Sequence, residues 1–103
     1  MNLDKKEVDM NEANNEVLDI LQEECAEVIQ AVSKIRRFGI DNFKPGKPKT
    51  NREHLEDEIG DVLAMIDILC SMGVVDLNKL QAAKIAKFQR LKKWSNIQNL
   101  ENV

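Results

Sequence analysis

The stretch VLDILQEECAEVIQAVSKIRR, Val17 to Arg37, decides the fold class. Leu18, Leu21, Cys25, Val28, Val32 and Ile35 follow one another at steps of three and four, which puts them on one face of a helix. Helix one is expected from about Asn11 to Arg37, with Gly39 as its stop signal. Outward from it, two breaks organise the chain. The first, FGIDNFKPGKPKT (Phe38 to Thr50), holds both prolines. The second is a short turn from Met72 to Val75 around Gly73. Helix two is expected to begin near Thr50, where Thr50-Asn51-Arg52-Glu53 has the form of a capping box. It carries Leu55, Ile59, Val62, Ile66 and Leu69 on one face, beside Leu63 and Cys70, and ends near Met72. Helix three follows the N-cap residue Asp76, with Leu77, Leu80, Phe88 and Leu91 on its stripe, and runs to Trp94. The first ten residues have room for a short extra helix, and the tail from Ser95 to Val103 stays open. The fold class is therefore all-α: a bundle of three long helices in one domain, 1–103, completed by oligomerisation.

Composition agrees. The chain has 103 residues, 43% hydrophobic but only 4% aromatic, and no tyrosine. That balance favours helix on helix over a β-sandwich, which draws on aromatic and β-branched residues. A domain this small hides a modest share of its surface, so self-association is a natural way to bury more. The net charge of −3 is not the footprint of a general nucleic-acid binder. Cys25 and Cys70 fall on apolar faces without CxxC spacing and read as buried, reduced core thiols. No apolar run approaches the ~20 residues of a membrane span, and MNLDKKEVDM lacks the apolar segment of a signal peptide. The expected setting is cytoplasmic, with no membrane and no nucleic-acid partner.

Function is written in the acidic residues. Helix one holds Glu23-Glu24-Cys25-Ala26-Glu27, and helix two holds Glu58-Ile59-Gly60-Asp61. A spacing of three projects Glu24 with Glu27, and Glu58 with Asp61, from neighbouring positions. Each pair borders its apolar stripe, so antiparallel packing of the two stripes lets all four carboxylates converge. No Lys or Arg follows these residues at the third or fourth position, where a solvated face often carries one. Glu23/Glu27 and Asp57/Asp61 are like-charge pairs that cost a few tenths of a kcal/mol each. Ionised carboxylates beside a core are costly unless paired or bound to a cation. A divalent ion answers all three points. Carboxylates without His or Cys make a hard, all-oxygen set suited to Mg²⁺ or Mn²⁺, and Mg²⁺ held this way keeps waters and meets phosphates. His54, one turn before Glu58, is a possible outer partner.

EECAE on one helix and EIGD on the next resemble the EExxE…ExxD signature of MazG-type nucleoside triphosphate pyrophosphohydrolases. The likeness spans roughly Val17 to Arg90, and Leu21 to Gly39 is especially similar to small phage-encoded members. It implies an all-α fold and cleavage of a nucleoside triphosphate between its α and β phosphates, giving the monophosphate and pyrophosphate. It further implies Glu24, Glu27, Glu58 and Asp61 as metal ligands, with Glu23 orienting or deprotonating the attacking water. Ala26 departs from the glycine that many members carry there and narrows the approach. Helix one offers no aromatic residue for a base to stack on.

A triphosphate also needs cationic side chains. Lys84, Lys87 and Arg90 resemble the family's basic pattern on the helix after ExxD. Lys84 stands between Leu80, Phe88 and Leu91, near the middle of the apolar stripe, so its ammonium is expected to face the acidic site. Lys34 and Arg37 at the end of helix one, and Lys44, Lys47, Lys49 and Arg52 around the loop, are weaker candidates. The expected assembly is a homodimer or homotetramer. Two rivals stand beside the enzyme: a non-enzymatic helical interaction module, and a nucleic-acid binder using the basic third helix. The first leaves the uncompensated carboxylates unexplained. The second is opposed by the acidic first two helices and the lack of interleaved aromatics.

Overall fold

A computed structural model describes residues 12–43 and 45–103; the short helix considered for the first ten residues, and Lys44, lie outside them. The element order is α1 (Glu12–Phe38), α2 (Asn51–Ser71) and α3 (Leu77–Trp94), closed by a single 3-10 turn at Leu100–Asn102. Among the described residues there is no strand, only one antiparallel bridge, Phe43 to Thr50. The expected all-α class is what the chain adopts.

Local chemistry sets the ends. Glu12 opens α1 and Arg36 and Arg37 close it, each sign complementing the helix dipole. Gly39 takes φ 97° and donates its N–H to the Ile35 carbonyl at 2.8 Å, a left-handed turn that suits glycine. The capping box forms as the sequence implies: Glu53 N–H donates to Thr50 Oγ1 at 3.1 Å, and Thr50 N–H donates to Glu53 Oε1 at 3.0 Å. Asp76 caps α3 by accepting from Lys79 N–H at 3.0 Å.

The connection between α1 and α2 is tied back on itself. Asn51 N–H donates to the Asn42 carbonyl at 2.9 Å, and Arg52 N–H to that of Ile40 at 2.8 Å. The Arg52 guanidinium pairs with Asp41 at 3.0 Å. Buried Asn51 sends Nδ2 to the Gly39 carbonyl at 2.9 Å. These bonds hold the end of α1 against the start of α2 and make the pair an antiparallel hairpin.

The two helices meet on faces that keep most of the expected stripes but are turned part-way toward the carboxylates. Along α1 the covered positions include Leu18, Leu21, Glu24, Val28, Ala31 and Ile35; along α2 they include Asn51, Leu55, Glu58, Val62, Met65, Ile66 and Leu69. Ala31, Met65 and Leu69 are the most buried apolar residues of the seam. Cys25, expected in the core, is exposed, while Cys70 is half-buried. Val32, Ile59 and Leu63, also expected on the packed stripe, are exposed. The apolar arc of each helix is wider than one partner covers, and the seam takes the side that bears the carboxylates. Both leftover flanks, with Ile29, fall on the same side of the antiparallel hairpin and form an uncovered apolar surface opposite the acidic one.

The third helix departs most from a closed bundle. α3 contains no buried residue and packs only sparsely on the other elements. The Cα radius of gyration is 17.5 Å, against about 13 Å for a compact chain of this length. Leu80, Phe88 and Leu91 of its apolar stripe are only half-buried, and Lys84 between them is exposed.

Candidate metal centre

Glu24 projects from the middle of the α1 face that packs on α2, and Glu58 from the middle of the facing α2 surface. Asp61 lies one turn beyond Glu58. One carboxylate oxygen from each of Glu24, Glu58 and Asp61 lies within 4.8 Å of the other two. Glu24 and Glu58 are half-buried and Asp61 is exposed, so the group opens to solvent on one side.

The electrostatics show crowding without compensation. The Glu24 carboxyl is raised above its ordinary value, first by burial, then by the Asp61 charge and a hydrogen bond with Asp61, and then by Glu58 and Glu27. Among the described residues, no cationic group contributes to that shift. Three converging carboxylates with no His or Cys fit a hard divalent cation, which relieves the repulsion and the burial cost together.

The remaining expected residues divide. Glu27 is exposed and stands outside the close group of three. It lines a narrow cleft beside them with Gln30, Ala31, Lys34, His54 and Glu58. His54 Nδ1 faces Glu58 Oε1 at 3.6 Å, and among the described residues this nitrogen has no hydrogen-bond partner. Glu23 is exposed on the α1 flank and lines a separate open depression with Asp19, Gln22 and Ala26. Lys84, Lys87 and Arg90 are exposed on sparsely packed α3, and none of them takes part in the ion pairs seen among the described residues. Lys49 is paired with Asp57 at 2.5 Å, and Arg52 with Asp41. The Asp57/Asp61 repulsion is thus partly met by a loop lysine, a compensation that helix spacing alone does not reveal.

One feature of the neighbourhood escapes a helix-by-helix reading. Phe38, assigned to the loop by its place after Arg36-Arg37, is the last residue of α1. Helix one therefore does carry an aromatic ring, contrary to expectation. The helix runs one residue further because Gly39, not Phe38, takes the left-handed turn.

The hairpin and its cluster define an all-α protein with a carboxylate-lined helix seam of the kind that holds a hard cation. The chain belongs to the MazG nucleotide pyrophosphohydrolase domain family, whose model matches residues 12–95. That family is metal-dependent and acts on nucleoside triphosphates. No curated protein and no solved structure matches the chain. Among the described residues, no helix is long and apolar enough to cross a membrane.

Proposed function

We propose that the protein is a cytosolic, single-domain, Mg²⁺-dependent nucleoside triphosphate pyrophosphohydrolase, with Mn²⁺ as an alternative ion. It takes a ribo- or deoxyribonucleoside triphosphate to the monophosphate and pyrophosphate. The observation that carries this reading is the convergence of Glu24, Glu58 and Asp61 with no cationic group among the described residues acting on Glu24.

Glu24, Glu58 and Asp61 would hold the ion, with Glu27 joining them from the adjacent cleft. When bound, the ion neutralises phosphate oxygens and lowers the pKa of a coordinated water. The chain's own residues do the rest. Glu23, on the flank of α1 next to Glu24, would turn toward the group and accept the proton of the attacking water, the role the resemblance implies for it, as the α–β anhydride bond breaks and pyrophosphate leaves. Lys34, half-buried in the cleft beside Glu27 and Glu58, balances phosphate charge. His54, 3.6 Å from Glu58 Oε1, would stand beside that ligand as an outer partner.

The basic third helix fits the same scheme through a second copy. α3 carries Lys79, Lys84, Lys87, Arg90, Lys92 and Lys93 and no acidic residue. The uncovered apolar flanks of the hairpin give copies a surface to share. In a homodimer, or a dimer of such dimers, α3 of one copy would reach past the shared flank to the carboxylate side of the other, supplying Lys84, Lys87 and Arg90 to the triphosphate.

Four isosteric substitutions test the assignment: Glu24→Gln, Glu27→Gln, Glu58→Gln and Asp61→Asn. Each abolishes turnover while circular dichroism stays helical. Near-full activity in two or more of them overturns it.

A further inference from the structure

We propose that a cavity at the end of α1 is the nucleobase subsite, with Phe38 and Phe43 as its stacking rings and Asn42 as its polar reader; this rests on the pyrophosphohydrolase reading above. The cavity has a volume of about 260 Å³ and is lined by Lys34, Phe38, Asn42, Phe43, Pro45 and Asn51. That is just under the ~300 Å³ at which pockets for drug-sized ligands begin, so it suits a base with part of its sugar better than a whole triphosphate.

Its position follows from the helix. At ~100° per residue, Glu24, Glu27, Ala31, Lys34 and Phe38 fall within an arc of about 80° on α1. They form one track that starts at the carboxylates and ends at the aromatic ring. Glu27 and Phe38 are eleven residues apart, about 16 Å at 1.5 Å per residue. Helical side chains lean toward the N-terminus, so Phe38 reaches back over the turn that bears Lys34. Lys34 lines both the cavity and the cleft beside Glu27 and Glu58. A ligand lying along this track has its charged end at the carboxylates, a lysine at its middle and aromatic surface at its far end. A nucleoside triphosphate has that order of chemistry.

The cavity's own groups are arranged for a flat, hydrogen-bonding ligand. The Arg37 guanidinium lies 4.9 Å from the centre of the Phe38 ring and braces it. Asn42 donates Nδ2 to the Phe38 carbonyl, which fixes the amide beside the ring. Its carbonyl oxygen is then an acceptor for an exocyclic amine or ring N–H of a base. Phe38 and Phe43 are 54% and 57% exposed, so neither is required by the core and both are available to a ligand.

The test compares Phe38→Ala and Phe43→Ala with Phe38→Trp and Phe43→Tyr. The first readout is the preference for the nucleoside triphosphate over inorganic tripolyphosphate, as a ratio of kcat/KM. The alanine variants lower that ratio by roughly tenfold or more, in keeping with the cost of losing one base–aromatic stack, and the aromatic variants restore it. The second readout is saturation-transfer NMR with nucleoside monophosphates, which needs no turnover. Base protons receive saturation from the wild-type protein and lose it in the alanine variants. If the wild type cleaves triphosphates but the ratio and the base signals are the same in all variants, the subsite is overturned and the enzyme reading stands. If nothing is cleaved while the base signals depend on Phe38 and Phe43, the subsite stands and the enzyme reading falls. Absence of base signals in the wild type overturns the subsite.

Discussion

Glu24 and Glu58 face each other across the middle of the α1–α2 seam, at positions where a two-helix core would ordinarily place leucines. With Asp61 they bring three carboxylate oxygens within 4.8 Å of one another. Such an arrangement costs the apo fold stability, and under the proposed function a bound divalent ion relieves that cost.

The pH dependence of that response has a definite sign. The Glu24 carboxyl is raised above 4.5 by burial and by Asp61. The folded state therefore binds the proton more tightly than the unfolded state does. Apo stability falls as pH rises through this interval, and the cost is fully present above the raised value. A bound divalent ion removes it. The rise in Tm on adding Mg²⁺ or Mn²⁺ is thus expected to be largest near neutral pH and to fade toward about pH 4, where protons compete for the ligands. Glu24→Gln raises the Tm of the apo protein and abolishes the cation effect. Thermal melts across pH, with and without the ion, read this; a cation effect that grows as pH falls contradicts it.

The capping box of α2 has the opposite pH sign. Glu53 is held below its ordinary value, first by the Thr50 backbone N–H and then by the Thr50 hydroxyl. Its contribution is complete above the unfolded pKa and is lost as pH falls through the folded one. Thr50→Ala removes the cap at a cost of about 1 kcal/mol, a fall in Tm of about 4–8 °C for a domain of this size. It also flattens the acid limb. Melts of the two proteins at several pH values check both effects.

The loop anchor is a third point. Asn51 is 5% exposed and its Nδ2 satisfies the Gly39 carbonyl. Asn51→Leu leaves that carbonyl without its partner and is expected to cost about 1–3 kcal/mol by denaturant titration. A change below about 0.5 kcal/mol, the scale of an ordinary surface substitution, shows that the amide does not anchor the hairpin.

How much of this the sequence discloses depends on the scale of the interaction. Helix number, type and ends are local, and the periodicity, Gly39, Asp76 and the Thr50–Glu53 box give them. The pairing of EECAE with EIGD is also legible, because i,i+3 spacing and the absence of neighbouring cations are properties of each helix alone. Rotation of the seam is not. Cys25 and Val32 lie on an apolar arc as good as the one that is buried, and only the partner helix decides between them. Lys84 illustrates the same limit: its place on the stripe of α3 is correct, but nothing in its own helix says whether another surface covers it. Phe38 lies one residue beyond the end that the sequence implies for α1, so the aromatic end of the track through Lys34 is not legible from the helix alone.

Assembly is expected to use the uncovered flanks. Ile29 is 70% and Leu63 is 56% exposed, on the side of the hairpin away from the carboxylates. Ile29→Asp with Leu63→Glu is expected to convert an oligomer to monomers by sedimentation velocity, with the helices intact. A wild-type protein that is monomeric and active at low micromolar concentration contradicts this.

If α3 serves a neighbouring copy, two inactive variants rescue each other. Lys84→Met and Glu58→Gln homo-oligomers each have a defective site. A mixed dimer contains one site with both residues intact, so random re-association of equal amounts recovers about a quarter of wild-type activity. No recovery after confirmed subunit exchange shows that Lys84 does not act across copies.

The central claim is the bond that is broken, and phosphorus NMR of the reaction products tests it most directly. With Mg²⁺ and a panel of ribo- and deoxyribonucleoside triphosphates, the wild-type protein is expected to give the monophosphate and pyrophosphate in equal amounts from at least one substrate. The Glu58→Gln protein is expected to give neither. Orthophosphate and the diphosphate as first products, or no turnover across the whole panel, would contradict the account.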